Sequence, residues 1–173
     1  MKKILLFLMM VITFFTQVNA KDNPYGISVN AGISNDIEIY RMGIQKPFNA
    51  TLFEFESFTI EGFHELGFNY WIGERNNIHA LSYSPVFKLL PTYYQYKKYQ
   101  PYIDLGIGIA LASDTKIDNR NLSSAFLFED RISLGLTHDV WDFYFRYMHY
   151  SNAGLQTPNE GIDIYLLGFN YTF

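Results

Sequence analysis

The residues of this chain whose types and spacing could do chemistry are His149, Ser151 and, beyond a short connecting segment, Asp163. A serine becomes a nucleophile when a base takes its proton, and the base needs a third group to fix its tautomer. His149 can serve Ser151, and Asp163 can hold His149. Attack on an ester would create an oxyanion that needs donors. Asn152 follows the serine directly, with the flexible backbone of Ala153 and Gly154 behind it. A His-x-Ser pair is common in proteins, so its setting has to decide whether it acts.

The setting is a strand. Successive side chains of a strand point to opposite faces, which places His149 and Ser151 on one side. Trp141, Phe143, Phe145 and Tyr147 lead up to them at the same parity. The pair therefore interrupts an aromatic row suited to lipid, where polar groups cost free energy and tend to be functional. The tight turn His138 to Val140 fixes a register with the preceding strand. If it pairs Thr137 or His138 with Trp141, symmetric counting puts Phe143 opposite Leu136, Phe145 opposite Leu134, Tyr147 opposite Ile132 and His149 opposite Asp130. Asp130 breaks the apolar parity of its own strand, so it is a second candidate acid, or a support for the rim. His64, His79 and His138 lack a paired serine and acid, and read as interfacial or turn residues. No cluster has metal-ligand spacing, and neither metal nor cofactor is called for.

The composition says what kind of molecule holds that strand. The chain carries 14 Tyr and 16 Phe with only 17% charged residues, too aromatic for an ordinary soluble domain. Met1-Lys2-Lys3, an apolar stretch to Phe15 and the small-residue ending Val18-Asn19-Ala20 form a secretory signal peptide over residues 1–20. Its apolar core is shorter than the roughly 20 residues a spanning helix needs. Removing Lys2 and Lys3 with no acid takes the formal charge from -4 to -6, which argues against a nucleic-acid partner. Residues 21–173 suit one domain, and with no cysteine the exported chain must hold together without disulfides. Membranes admit only helices and closed barrels, because backbone polar groups in lipid must be paired internally. An exported, aromatic-rich chain without a long apolar segment after the leader therefore points to an all-β transmembrane barrel.

Period-two segments support this. They run over residues 25–33, 37–46, a loosely placed third strand ending at Ile72, 78–88, 103–111, 124–137, 141–151 and 163–173. Residues 91–100 and 113–123 read as connections. The total is eight antiparallel strands, an even number as single-chain bacterial barrels have, and such a barrel is filled by its own side chains. Asp104, Glu129, Arg131, Asp142 and Arg146 fall on the inward parity as an internal charge network. Tyr165, Leu167, Phe169, Tyr171 and the terminal Phe173 look like the signature read by the outer-membrane assembly machinery. With both termini periplasmic, the loop after residue 151 is outside, and the site sits at the rim facing the outer leaflet. A soluble lipocalin-like barrel or sandwich would instead put the aromatic parity indoors.

At this point the chain resembles the PagL-type lipid A 3-O-deacylases, outer-membrane enzymes that remove the acyl chain ester-linked at the 3 position of lipid A. The resemblance rests on His149-Tyr150-Ser151-Asn152-Ala153-Gly154-Leu155, Pro158-Asn159 and Gly161-Ile162 with the acid at 163. It extends to Phe128-Glu129-Asp130-Arg131, Asn121-Leu122, Gly106-Ile107-Gly108, Ser84-Pro85-Val86-Phe87 and Tyr40-Arg41-Met42-Gly43. It covers nearly the whole mature chain, less well over residues 48–63. It implies Ser151 as nucleophile, His149 as base, Asp163 as acid, and Asn152 with Gly154 at the oxyanion. The implied substrate is lipopolysaccharide in the outer leaflet, with a homodimer as a further expectation. Where Glu is expected the chain has Asp163, one methylene shorter, which keeps Asp130 and Glu160 in view as the acid. Two other functions fit the residues: an outer-membrane phospholipase, and a non-catalytic structural or adhesive barrel.

Overall fold

A strand with one face against lipid and one against a filled interior must alternate, and long stretches of the strands do so. The computed structural model describes residues 24–94, 96 and 98–173; the leader read at residues 1–20 lies outside the described residues. The strands are β1 (Gly26–Ser34), β2 (Ile37–Pro47), β3 (Phe53–Glu54), β4 (Phe58–Ile72), β5 (Asn77–Pro91), β6 (Tyr99–Ala112), β7 (Lys116–Ile117), β8 (Arg120–Asn121), β9 (Phe126–His138), β10 (Trp141–Ser151) and β11 (Ile162–Thr172). Eight of them, β1, β2, β4, β5, β6, β9, β10 and β11, pair in that order, each antiparallel to the next. Pairing of β1 with β11 closes the ring, and backbone bonds between Tyr25 and Phe173 extend the seam. The result is a closed eight-stranded antiparallel barrel with no free edge along its long strands.

The faces sort as a membrane barrel requires. Along β2 every second residue from Ile37 is buried while Tyr40, Met42 and Ile44 stand exposed. Ile107, Leu134, Phe143 and Leu167 are likewise large, apolar and outward. The interior is layered. Towards the β10–β11 end lies an apolar plug that includes Ile39, Trp71, Ile78, Leu127, Met148 and Ile164. Below it Arg41, Arg131 and Arg146 meet Glu65, Glu129 and Asp104, and a small cluster of Leu90, Tyr102 and Tyr144 fills the opposite half. Of the expected internal charges, Asp104, Glu129, Arg131 and Arg146 are buried there. Asp142 is part-buried and pairs with Lys88 at 3.0 Å. Arg41 and Glu65 join the network as well, and Gly67 faces the Arg41 guanidinium so closely that a Cβ would displace it.

Three connections differ from the sequence expectation. The irregular stretch before residue 61 contains the two-residue β3, hydrogen-bonded to β4. β5 runs on to Pro91, and β6 begins at Tyr99, so the interfacial turn is shorter than residues 91–100. The polar loop at 113–123 holds a small β7–β8 hairpin. Short paired strands leave no periodicity in a sequence, because alternation needs several residues to show.

Candidate active site

β10 carries the site because its alternation continues to its end. Met148, Tyr150 and Asn152 are buried, and the residues between them face outward. Tyr150 is anchored below: its hydroxyl donates to Glu129 Oε2 at 2.6 Å and lies 3.2 Å from Asn69 Oδ1. A residue pinned on the inner face holds its two neighbours, His149 and Ser151, on the outer one. Both are partly exposed.

The register follows the symmetric count from the turn. Trp141 lies opposite His138, Phe143 opposite Leu136, Phe145 opposite Leu134, Tyr147 opposite Ile132 and His149 opposite Asp130. On the other side His149 lies opposite Asp163, and Tyr147 opposite Tyr165. The histidine therefore stands between two aspartates, one on each neighbouring strand. His149 Nδ1 is 2.7 Å from Asp163 Oδ1, whereas no hydrogen bond joins it to Asp130. The Tyr147 hydroxyl donates to the same Asp163 oxygen, also at 2.7 Å. With Nδ1 engaged by a carboxylate, Nε2 is the ring nitrogen left for proton transfer. No hydrogen bond links His149 to Ser151, whose Oγ accepts one from the Ala153 amide at 3.4 Å; such contacts often tighten only when substrate binds.

The chain turns sharply after the serine. Leu155 N–H donates to Asn152 O at 3.0 Å, and Ala153 and Gly154 both have positive φ, 52° and 80°. Positive φ at both central residues is the mark of a type I′ turn. The two residues expected at the oxyanion have partners of their own here. The Asn152 carboxamide is fully buried, donating to Leu122 O and Gln156 O and accepting from Gly154 N–H at 2.8 Å. The backbone N–H of Asn152 donates to Asn159 Oδ1 at 3.1 Å. The amide aimed at Ser151 Oγ is that of Ala153, which the sequence reading treated only as flexible backbone.

The segment from 152 to 161 is docked as well as turned. The Glu160 carboxylate accepts from Asn121 N–H, so that acid braces the loop against β8. Arg120 Nη1 donates to Gly161 O at 2.7 Å. Gly161, at φ 59°, lies under the histidine: a Cβ there would stand 2.9 Å from His149 Cε1 and 3.4 Å from Nε2. Tyr147, Gly161 and Arg120 were not singled out as site residues in the sequence. Tyr147 gave a signal, being two residues before His149 at the same parity. The other three histidines stay with aromatic rings, as interfacial or turn residues do: His64 and His79 stack on Tyr83 and Tyr70, and His138 packs on Tyr99.

Residues 38–172 match a family model described as lipid A 3-O-deacylase (PagL). The chain is 36% identical over 133 residues to a lipid A deacylase PagL of Pseudomonas aeruginosa, covering 74% of each chain. It is 37% identical over 112 residues to one of Bordetella bronchiseptica, covering 63% of this chain and 61% of that protein. Its fold is similar to a crystal structure of the outer membrane enzyme PagL, with a TM-score of 0.78, 33% identity, and coverage of 84% of this chain and 98% of that one.

Proposed function

Because the chain belongs to the lipid A 3-O-deacylase (PagL) family, we propose that it is an outer-membrane esterase that hydrolyses the 3-O-linked acyl ester of lipid A with Ser151, His149 and Asp163. The observation that carries the mechanism is the 2.7 Å bond from His149 Nδ1 to Asp163 on the outward face that also bears Ser151. Asp163 fixes the tautomer in which Nε2 is free. His149 Nε2 takes the Ser151 proton as Oγ bonds to the ester carbonyl carbon. The bond from the acyl carbon to the sugar's 3-oxygen breaks as His149 returns that proton to the departing oxygen, leaving a 3-hydroxyl. Water, deprotonated by the same nitrogen, then attacks the acyl carbon, and the bond to Ser151 Oγ breaks as Oγ takes that proton back, releasing a 3-hydroxy fatty acid. The Ala153 amide, 3.4 Å from Ser151 Oγ, supports a place for the oxyanion. Asn152 and Gly154 act there by shaping the turn that aims it.

The position of the site suits a substrate held in lipid. Below His149 the outer face of β10 carries Tyr147, Phe145 and Phe143, and at the level of Phe143 and Phe145 a shallow apolar groove is lined with Leu134, Leu136 and Leu167. An acyl chain lying beside the barrel would meet this apolar surface below the polar groups of Tyr147, Asp163 and His149. The test is mass spectrometry of lipid A from cells making the wild-type chain, Ser151→Ala or His149→Ala, with heat-modifiable gel mobility reporting a folded barrel. Loss of one 3-hydroxyacyl group with the wild type alone is the expected result. Deacylation that persists in folded Ser151→Ala would remove Ser151 as nucleophile. Phospholipid hydrolysis without a change in lipid A would replace the substrate and make the protein a phospholipase.

A further inference from the structure

The bond from Tyr147 to Asp163 goes unused by the mechanism above. Asp163 is a rim residue with 55% of its side chain exposed, and a short carboxylate so placed has no packing to choose its rotamer. His149 faces a second aspartate, Asp130, on the other side. The register thus offers the imidazole a carboxylate on either side. The phenol adds a bond to only one of them. Tyr147 and Asp163 are diagonal neighbours across β10 and β11, a separation that aromatic side chains can bridge. The hydroxyl reaches the same Oδ1 that His149 uses, so one oxygen accepts two bonds of 2.7 Å.

We infer that Tyr147 is a positioning residue of the site: its phenol holds the Asp163 carboxylate against His149 Nδ1 and so selects Asp163 over Asp130 as the partner of the base. The inference rests on the esterase reading above. The phenol touches neither substrate nor the transferred proton, and acts only through the acid. Its loss therefore lowers the rate of the bound complex while leaving substrate affinity alone. Its ring also meets Tyr165, with centroids 5.5 Å apart, and Tyr147→Phe keeps that contact.

The experiment is steady-state deacylation of lipid A in detergent micelles by the purified full-length chain, Ser151→Ala, Tyr147→Phe and Tyr165→Phe, each checked for heat-modifiable mobility. Tyr165→Phe removes a hydroxyl from the same exposed row with no bond to Asp163, and is expected to match the wild type. Tyr147→Phe is expected to lower kcat about tenfold, the scale of one hydrogen bond to a charged group, with KM within about twofold. An unchanged kcat, a loss appearing in KM, or an equal loss in Tyr165→Phe would overturn the positioning role while leaving the esterase intact. A wild-type chain that does not deacylate lipid A would overturn the esterase reading and the inference with it.

Discussion

A histidine with a carboxylate on either side takes the one that its surroundings favour, and here three residues bear on the choice. Tyr147 holds Asp163, Asp163 holds Nδ1, and Gly161, with no side chain, leaves room for the Cε1–Nε2 edge of the ring. Asp163→Ala should lower kcat by about three orders of magnitude or more, as loss of the orienting acid does in serine hydrolases. Asp130→Ala should change it less than about threefold, because no hydrogen bond ties Asp130 to the ring. Paired kinetics on the two variants would reverse the assignment if Asp130→Ala proved the worse. Gly161→Ala tests the third contact. Its methyl would press on His149 Cε1 at 2.9 Å, and its φ of 59° costs a residue with a Cβ about 1–2 kcal/mol. The expected outcome is a barrel of normal heat-modifiability with turnover reduced at least about tenfold. The sequence brought both acids to His149 through parity and turn symmetry alone, since register is geometry. It could not choose between them, because the choice lies in a side-chain bond whose direction has no periodicity.

At the scale of elements, the outer end of β10 is held from two sides. Inside, Tyr150 and the Asn152 carboxamide anchor the strand and its turn to β9, β4 and the segment before β9. Outside, Arg120 and Asn121 of β8 bind Gly161 and Glu160, joining the last loop to the small hairpin. Long alternating runs such as β2, β6 and β10 were legible because lipid on one face and a filled lumen on the other force period two. The β7–β8 hairpin was not, and with it went the reason the last loop is ordered. Arg120→Ala should leave the barrel folded and free the loop. Limited proteolysis should then cut between residues 152 and 161 several times faster than in the wild type, with deacylation lowered in step. Equal cleavage rates would mean that the Arg120 to Gly161 bond does not hold the loop.

At the scale of the whole molecule, stability and chemistry occupy opposite faces of one wall. The side chains proposed for catalysis face outward, while three guanidiniums and three carboxylates are sealed inside. Inward parity predicted most of those charges from sequence, and Arg41 and Glu65 satisfy the same rule once the register of β2 with β4 is known. Glu65 is the hub: Oε1 accepts from Arg41 at 2.7 Å and Arg131 at 2.6 Å, Oε2 accepts from Gln45 at 2.7 Å, and Arg146 stands 3.7 Å away. Glu65→Gln keeps the shape and removes the charge, leaving three buried cations with two anions. Breaking a buried pair from one side costs about 3–5 kcal/mol, because the partner charge stays desolvated. Ser151→Ala, on the outer face, removes a partly exposed hydroxyl and should fall within about 0.5 kcal/mol of the wild type. Urea titration of both variants refolded into phospholipid vesicles separates the two faces. A marked drop for Glu65→Gln beside an unshifted Ser151→Ala is expected. Equal stability of Glu65→Gln and the wild type would mean that water or proton uptake, and not Glu65, balances the arginines.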